Sequence, residues 1–201
     1  GIAAGDVDGD RDVDLYISMV GRDRLLLNES TAERILFRDA TDEFELPGEE
    51  AWSTAVGFGD FDGDSDLDLV GLRYVDWSPD IDAAVDFRLD GIGRAYGPPT
   101  GFAGTRPFLL LNEMDGGRRR FVEAGADRGL TQSNPETDAD EGKGLGLAVV
   151  DLDDDGDLDL IGANDTTPNA VWLNDGTGRF DEQGRRVGVA FDRSGSATGA
   201  M

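Results

Sequence analysis

The chain contains no cysteine and no histidine. The first absence excludes disulfides and thiol chemistry; the second removes the commonest metal ligand and the commonest general base. A nucleophile activated by histidine cannot be built from these residues. No apolar run approaches the ~20 residues that a membrane-spanning helix needs. Basic residues are also scarce, 18 Lys and Arg against 43 Asp and Glu, for a net charge of −25. A nucleic-acid partner is disfavoured, because the dominant electrostatic contribution would be repulsive, and the same holds for an anionic membrane. Lack of cysteine leaves the compartment open. What is present suits a folded protein: 201 residues and 38% hydrophobic content can build one substantial core or a set of stacked repeats.

The acidic residues are concentrated. Sixteen of them lie in the segments 6–15, 60–69 and 151–160, and the remaining 27 exceed the 18 bases by only nine. Local cation sites explain this pattern better than a uniformly acidic surface does. The three segments are copies of one loop. The first runs Asp6-Val-Asp8-Gly-Asp10-Arg-Asp12-Val-Asp14-Leu15. The second runs Asp60-Phe-Asp62-Gly-Asp64-Ser-Asp66-Leu-Asp68-Leu69, and the third Asp151-Leu-Asp153-Asp-Asp155-Gly-Asp157-Leu-Asp159-Leu160.

The flanks repeat too. Small or apolar residues precede each loop, and a short apolar segment follows it: Leu15-Tyr16-Ile17, Leu69-Val70-Gly71, Leu160-Ile161-Gly162. Next come Leu25-Leu26-Leu27-Asn28, Leu109-Leu110-Leu111-Asn112 and Val171-Trp172-Leu173-Asn174, then a polar turn and a Phe: Phe37, Phe121, Phe180. Each unit reads as four short strands, and such units in series predict an all-β fold of propeller blades. The expected repeats span 1–50, 51–130 and 144–192, with 193–201 opening the next inner strand. The spacing from first loop Asp to strand-three Asn is 22 and 23 residues in units one and three but 52 in unit two. About thirty residues, 74–106, are therefore inserted there. They are rich in aromatics, Pro and Gly, and a long loop on a regular scaffold is a common place for function.

Alternation brings the carboxylates at loop positions 1, 3, 5 and 9 around one point: Asp6/Asp8/Asp10/Asp14, Asp60/Asp62/Asp64/Asp68 and Asp151/Asp153/Asp155/Asp159. Position 7 (Asp12, Asp66, Asp157) is expected to offer its backbone carbonyl. A hard divalent cation with six to eight oxygen ligands fits this set, calcium better than the geometrically stricter magnesium. About three calcium ions are thus expected. Without a cation, each carboxylate pair repels by roughly 1 kcal/mol even at the dielectric of bulk water. An EF-hand is excluded, since it needs an acidic residue at position 12, where this chain has Ile17, Gly71 and Gly162.

These units resemble FG-GAP repeats, also called VCBS repeats, the blades of the integrin α-subunit propeller. The likeness extends to bacterial secreted proteins of the cartilage acidic protein type. It is carried by Gly5-Asp-Val-Asp-Gly-Asp10, Tyr74-Val-Asp-Trp-Ser-Pro79, Tyr96-Gly-Pro-Pro-Thr-Gly-Phe102, Lys143-Gly-Leu-Gly146 and Ala163-Asn-Asp-Thr-Thr-Pro-Asn169. The resemblance implies a calcium-stabilised propeller outside the cytoplasm and implies no reaction. Two departures bear on the loops. Position 6, usually Gly, is Arg11 and Ser65 in the first two, where a left-handed backbone would cost about 1–2 kcal/mol. Position 4 of the third is Asp154. The third loop, which keeps Gly156, is accordingly expected to bind most tightly.

The function expected is non-enzymatic: adhesion, or binding of protein or glycan at the cell surface, with no direct membrane insertion. A structural subunit of a surface filament or layer is the alternative, and an enzyme acting on polysaccharide a lesser one. Three units are fewer than the roughly four to eight blades of closed propellers. Either the protein continues on both sides or copies pack edge to edge. Two sequons occur, at Asn28 and Asn164.

Overall fold

The computed structural model describes residues 1–48 and 50–197. The first unit contains β1 (Ile2–Gly5), β2 (Asp14–Ile17), β3 (Val20–Gly21), β4 (Arg24–Asn28) and β5 (Phe37–Asp39). The second contains β6 (Ala51–Gly59), β7 (Asp68–Arg73), a short helix α1 (Pro79–Ala84), the two-residue strands β8 (Arg88–Leu89) and β9 (Gly93–Arg94), then β10 (Phe108–Asp115) and β11 (Arg118–Glu123). The third contains β12 (Gly144–Val150), β13 (Asp159–Asn164), β14 (Ala170–Asn174), β15 (Phe180–Glu182) and the helix α2 (Gly184–Val187).

Among the described residues the strands form three large antiparallel sheets, ordered β1-β2-β4-β5, β11-β10-β7-β6-β3 and β12-β13-β14-β15, and the two-stranded β8-β9. The large sheets are three consecutive β-propeller blades, each running from inner to outer strand. One departure from strict four-strandedness is β3, which leaves its own unit to pair with β6 of the next through Val20↔Trp52 and Gly21↔Ala51. A second is the insertion, which folds into α1 and the β8–β9 hairpin. Ser78 caps α1 by accepting from the Ile81 N–H at 3.2 Å, with Pro79 opening the helix.

Packing explains the strand sequences. The middle blade is covered on both faces, so its strands read as continuous apolar runs. Side chains alternate along them with period two. Leu69, Phe108 and Leu110 join a core shared with the first blade, built on Tyr16, Leu25 and Leu27. Val70, Leu72, Leu109 and Leu111 join a second core shared with the third blade, built on Leu160, Trp172 and Phe180. The inner strand β6 lies between β1 and β12, where small residues permit close approach.

Of residues 193–201, expected to open a further inner strand, 193–197 do not extend. The Asp192 carboxylate accepts from the N–H groups of Ser194 and Ser196, and the turn closes with a Phe191↔Ala197 bridge. Residues 198–201 lie outside the described residues.

Candidate metal centres

In all three blades the same register closes the loop between the first two strands: Gly5↔Asp14, Gly59↔Asp68 and Val150↔Asp159. The loop is then shaped by its own carboxylates. At position 1, Asp6 accepts from the N–H groups of Gly9 (2.8 Å) and Arg11 (2.9 Å). Asp60 accepts likewise from Gly63 and Ser65, and Asp151 from Asp155 and Gly156. At position 5, Asp10, Asp64 and Asp155 each accept from the N–H two residues on. This winding puts position 6 in the left-handed region in every loop, with φ of 78° at Arg11, 73° at Ser65 and 99° at Gly156. The strain expected at the two non-glycine positions is therefore present.

Position 9 is the buried anchor. Asp68 is 1% exposed and Asp159 0%. One oxygen of Asp68 accepts from the Phe61 N–H at 3.1 Å and the other from the Asn112 N–H at 2.9 Å. Asp14 is held in the same way by Val7 and Asn28, and Asp159 by Leu152 and Asn174. Each anchor thus ties the loop to the end of strand three of its own blade.

Three ligand-competent oxygens converge in each loop, within 4.8 Å of one another: Asp6/Asp8/Asp10, Asp60/Asp62/Asp68 and Asp151/Asp153/Asp159. These belong to three of the four positions expected in each loop; Asp14, Asp64 and Asp155 stand outside that radius, all three engaged with backbone N–H groups. Of the position-7 side chains, Asp12 is exposed and Asp66 is paired with Arg119 at 2.7 Å. The carboxylate at Asp66 is turned to that partner, which leaves the backbone carbonyl as the group for a cation.

The electrostatics favour a cation. Burial raises Asp68 to about 7, and the carboxylates of Asp62 and Asp64 push in the same direction. Asp8, Asp14 and Asp62 are raised as well, by burial first and by their acidic neighbours second. In the third loop Asp153 and Asp157 are raised by the same two causes. Oδ1 of Asp62 is buried with no hydrogen-bond partner. An orphaned, desolvated carboxylate oxygen among like charges is a ligand position for a hard cation.

Residues that carried no role in the sequence reading join the loops together. The Asn112 amide donates to the Val7 carbonyl of the first loop at 2.8 Å and to the Leu67 carbonyl of the second at 3.2 Å. The Asn174 amide repeats this between the second and third, through Phe61 (2.8 Å) and Leu158 (3.3 Å). Arg119 adds a further link between the first pair, donating to the Asp8 carbonyl while holding Asp66. Their only signal in sequence is the Asn that ends strand three of every unit.

The other end of the blades carries a different polar cluster. Tyr74 donates to the Asp165 carboxylate at 2.7 Å, and the buried Lys143 ammonium to the Pro99 carbonyl at 2.6 Å. Asn164, 2% exposed, gives its amide hydrogens to Gln132 and Pro168. That bonding leaves the Asn164 sequon without an accessible acceptor; Asn28 is half-buried.

Fold and loops together define a blade-repeat protein of the β-propeller class with acidic loops on one end. The FG-GAP-like repeat matches residues 6–71 and 109–200, and the chain belongs to that family. The match passes over 72–108, the segment that holds the insertion. No curated protein matches the chain. Among the described residues, no helix is long and apolar enough to cross a membrane.

Proposed function

We propose that this chain is a calcium-stabilised, extracellular propeller module that binds protein or glycan at the cell surface and catalyses no reaction. The observation that carries the reading is the thrice-repeated convergence of three carboxylate oxygens, with Asp10 and Asp153 exposed and the others buried or half-buried, one of them orphaned, in loops whose backbone is already wound. The loop carboxylates are committed to shaping the loop and to the cation, so they are poor candidates for acid–base chemistry. Calcium modules outside the cell work with dissociation constants of about 10⁻⁴–10⁻³ M, which suits exposed loops such as these. The third loop has Gly156 at position 6 but places Asp154 in the left-handed region at position 4, with φ of 61°; the extra charge of Asp154 makes it the tightest of the three.

Melting the chain in calcium and in excess chelator tests the proposal. Binding to the folded state alone adds about 2.7 kcal/mol when calcium is a hundredfold above its dissociation constant. For a chain of this size that raises Tm by at least about 5 °C. Coincident melting curves would remove calcium from the proposal.

A further inference from the structure

We propose that the insertion between β7 and β10 is a binding site for an uncharged carbohydrate, with Phe87, Tyr96 and Phe102 as stacking surfaces and Asp82 and Arg94 as hydroxyl partners. The proposal rests on the reading of the chain as an interaction module and names the ligand class and the place. Between α1, the β8–β9 hairpin and the strand-like run after it lies a cleft of about 330 Å³, lined by these five residues together with Pro98 and its neighbours. That volume is within the range of small-ligand sites, about 300–1,000 Å³.

The cleft is preformed. A Cβ on Gly97 would stand 2.4 Å from Cγ of Phe87, so the ring lies flat against the backbone at the one residue type that admits it. The Ala95 N–H donates to the Phe87 carbonyl at 2.9 Å, and the Phe102 N–H to Pro99 at 3.2 Å. The Lys143 ammonium, from the start of the third blade, holds the Pro99 carbonyl. The insertion's aromatic wall is thereby latched to the scaffold. Arg94 is oriented as well, one Nη donating to the Asp82 carbonyl at 2.6 Å, which leaves further guanidinium donors in the wall.

Tyr96 is 100% exposed. It contributes nothing to either blade core, and its environment within the fold gives no reason for an aromatic there. A sugar ring has an apolar C–H face and a rim of hydroxyls that both donate and accept. An aromatic floor bordered by a carboxylate and a guanidinium complements both features. The net charge of −25 selects against an acidic polysaccharide, which the whole molecule would repel.

The test is titration of the calcium-equilibrated full chain with cellohexaose, xylohexaose, mannohexaose and a galacturonic acid hexamer, for the native sequence, Tyr96→Ala and Phe102→Ala. Tyr96→Ala removes a side chain that is outside both cores, so its melting curve should coincide with the native one. At least one neutral hexamer should bind, and Tyr96→Ala should weaken that binding by about tenfold or more, as expected for loss of an aromatic contact. Binding of the acidic hexamer alone would overturn the proposal. So would neutral binding that both substitutions leave unchanged, although the module reading would then stand with its site elsewhere. Binding of no hexamer would overturn it too, and calcium-dependent melting of the same samples would show that the scaffold reading survives.

Discussion

At one end of the blades a single acidic loop design occurs three times; at the other end the connection from strand two to strand three differs in every blade. The antiparallel order puts the β1–β2, β6–β7 and β12–β13 loops together, and the β7–β10 insertion at the opposite end. The loop end is organised by carboxylates that accept from main-chain N–H groups and by asparagines that step from one loop to the next. The insertion end is organised by aromatic edges, Trp52 against Tyr74 at 5.3 Å and against Trp77 at 5.9 Å, and by side chains that reach main-chain carbonyls. The difference separates stability from recognition. Repetition suits a part that must hold every blade to its neighbour, whereas one unrepeated insertion can carry a specific contact without disturbing the array.

The largest expected effect tests that separation directly. Asp68→Ala removes the acceptor of two buried donors, the N–H groups of Phe61 and Asn112. Each unsatisfied donor costs about 1–3 kcal/mol, so unfolding free energy should fall by roughly 2–6 kcal/mol. At the other end, Tyr74→Phe deletes one half-buried hydrogen bond, to Asp165, and should cost only about 1 kcal/mol. Urea unfolding of the two variants measures both. Equal losses would mean that the insertion end is as structural as the loops.

A second test uses pH, and its readout is the sign of the effect. In chelator, Asp68 has a folded pKa of about 7, above its unfolded value near 4. The folded chain then binds the proton more tightly than the unfolded one. Stability rises as pH falls from 8 to 5, and it is lost as pH climbs back through 7. Asp8, Asp14 and Asp62 are raised in the same direction and add to the trend. With saturating calcium the ligand carboxylates must stay ionised, so protons compete with the ion and acidification destabilises over the same window. Plots of Tm against pH should therefore slope in opposite directions with and without calcium. Tyr74, at the insertion end, is pushed up to about 12 by burial and by Asp165 and titrates outside this window, so it does not contribute.

The loop end was the legible one, and the reason is physical. A period-two run of aspartates encodes a local shape, and local shape depends on neighbours in sequence. The loop positions and the strand that follows each loop could be read this way; the left-handed position 6 was implied by the resemblance to FG-GAP repeats, where that position is usually Gly. The links between loops could not. Asn112 meets Val7 across 105 residues and Asn174 meets Phe61 across 113, contacts that exist only once blades are stacked. Pairing of β3 with the following blade is of the same kind. The insertion was opaque for another reason. Its helix is one and a half turns long, too short to show an apolar period, although Ser78-Pro79 carried the capping signal.

The smallest effect concerns backbone strain, which both ends contain. Arg11 and Ser65 sit at φ of 78° and 73° in the first two loops, and Thr166 at 60° beside Asp165 at the other end. A left-handed conformation costs a residue with a side chain about 1–2 kcal/mol, and more is expected of a β-branched one. Glycine removes that strain but gives back about 0.5–1 kcal/mol through the greater freedom of the unfolded chain. Ser65→Gly should thus stabilise the chain by about 0.5–1 kcal/mol, and Thr166→Gly by at least as much. Calcium separates the two. Relaxing position 6 pre-winds the second loop, so Ser65→Gly should also tighten the second site toward the third, seen as a larger Tm rise on calcium addition. Thr166 is at the far end from every loop, and Thr166→Gly should leave the calcium-induced rise unchanged. If Thr166→Gly altered that rise as much as Ser65→Gly does, the two ends would be energetically coupled and the division between them would fail.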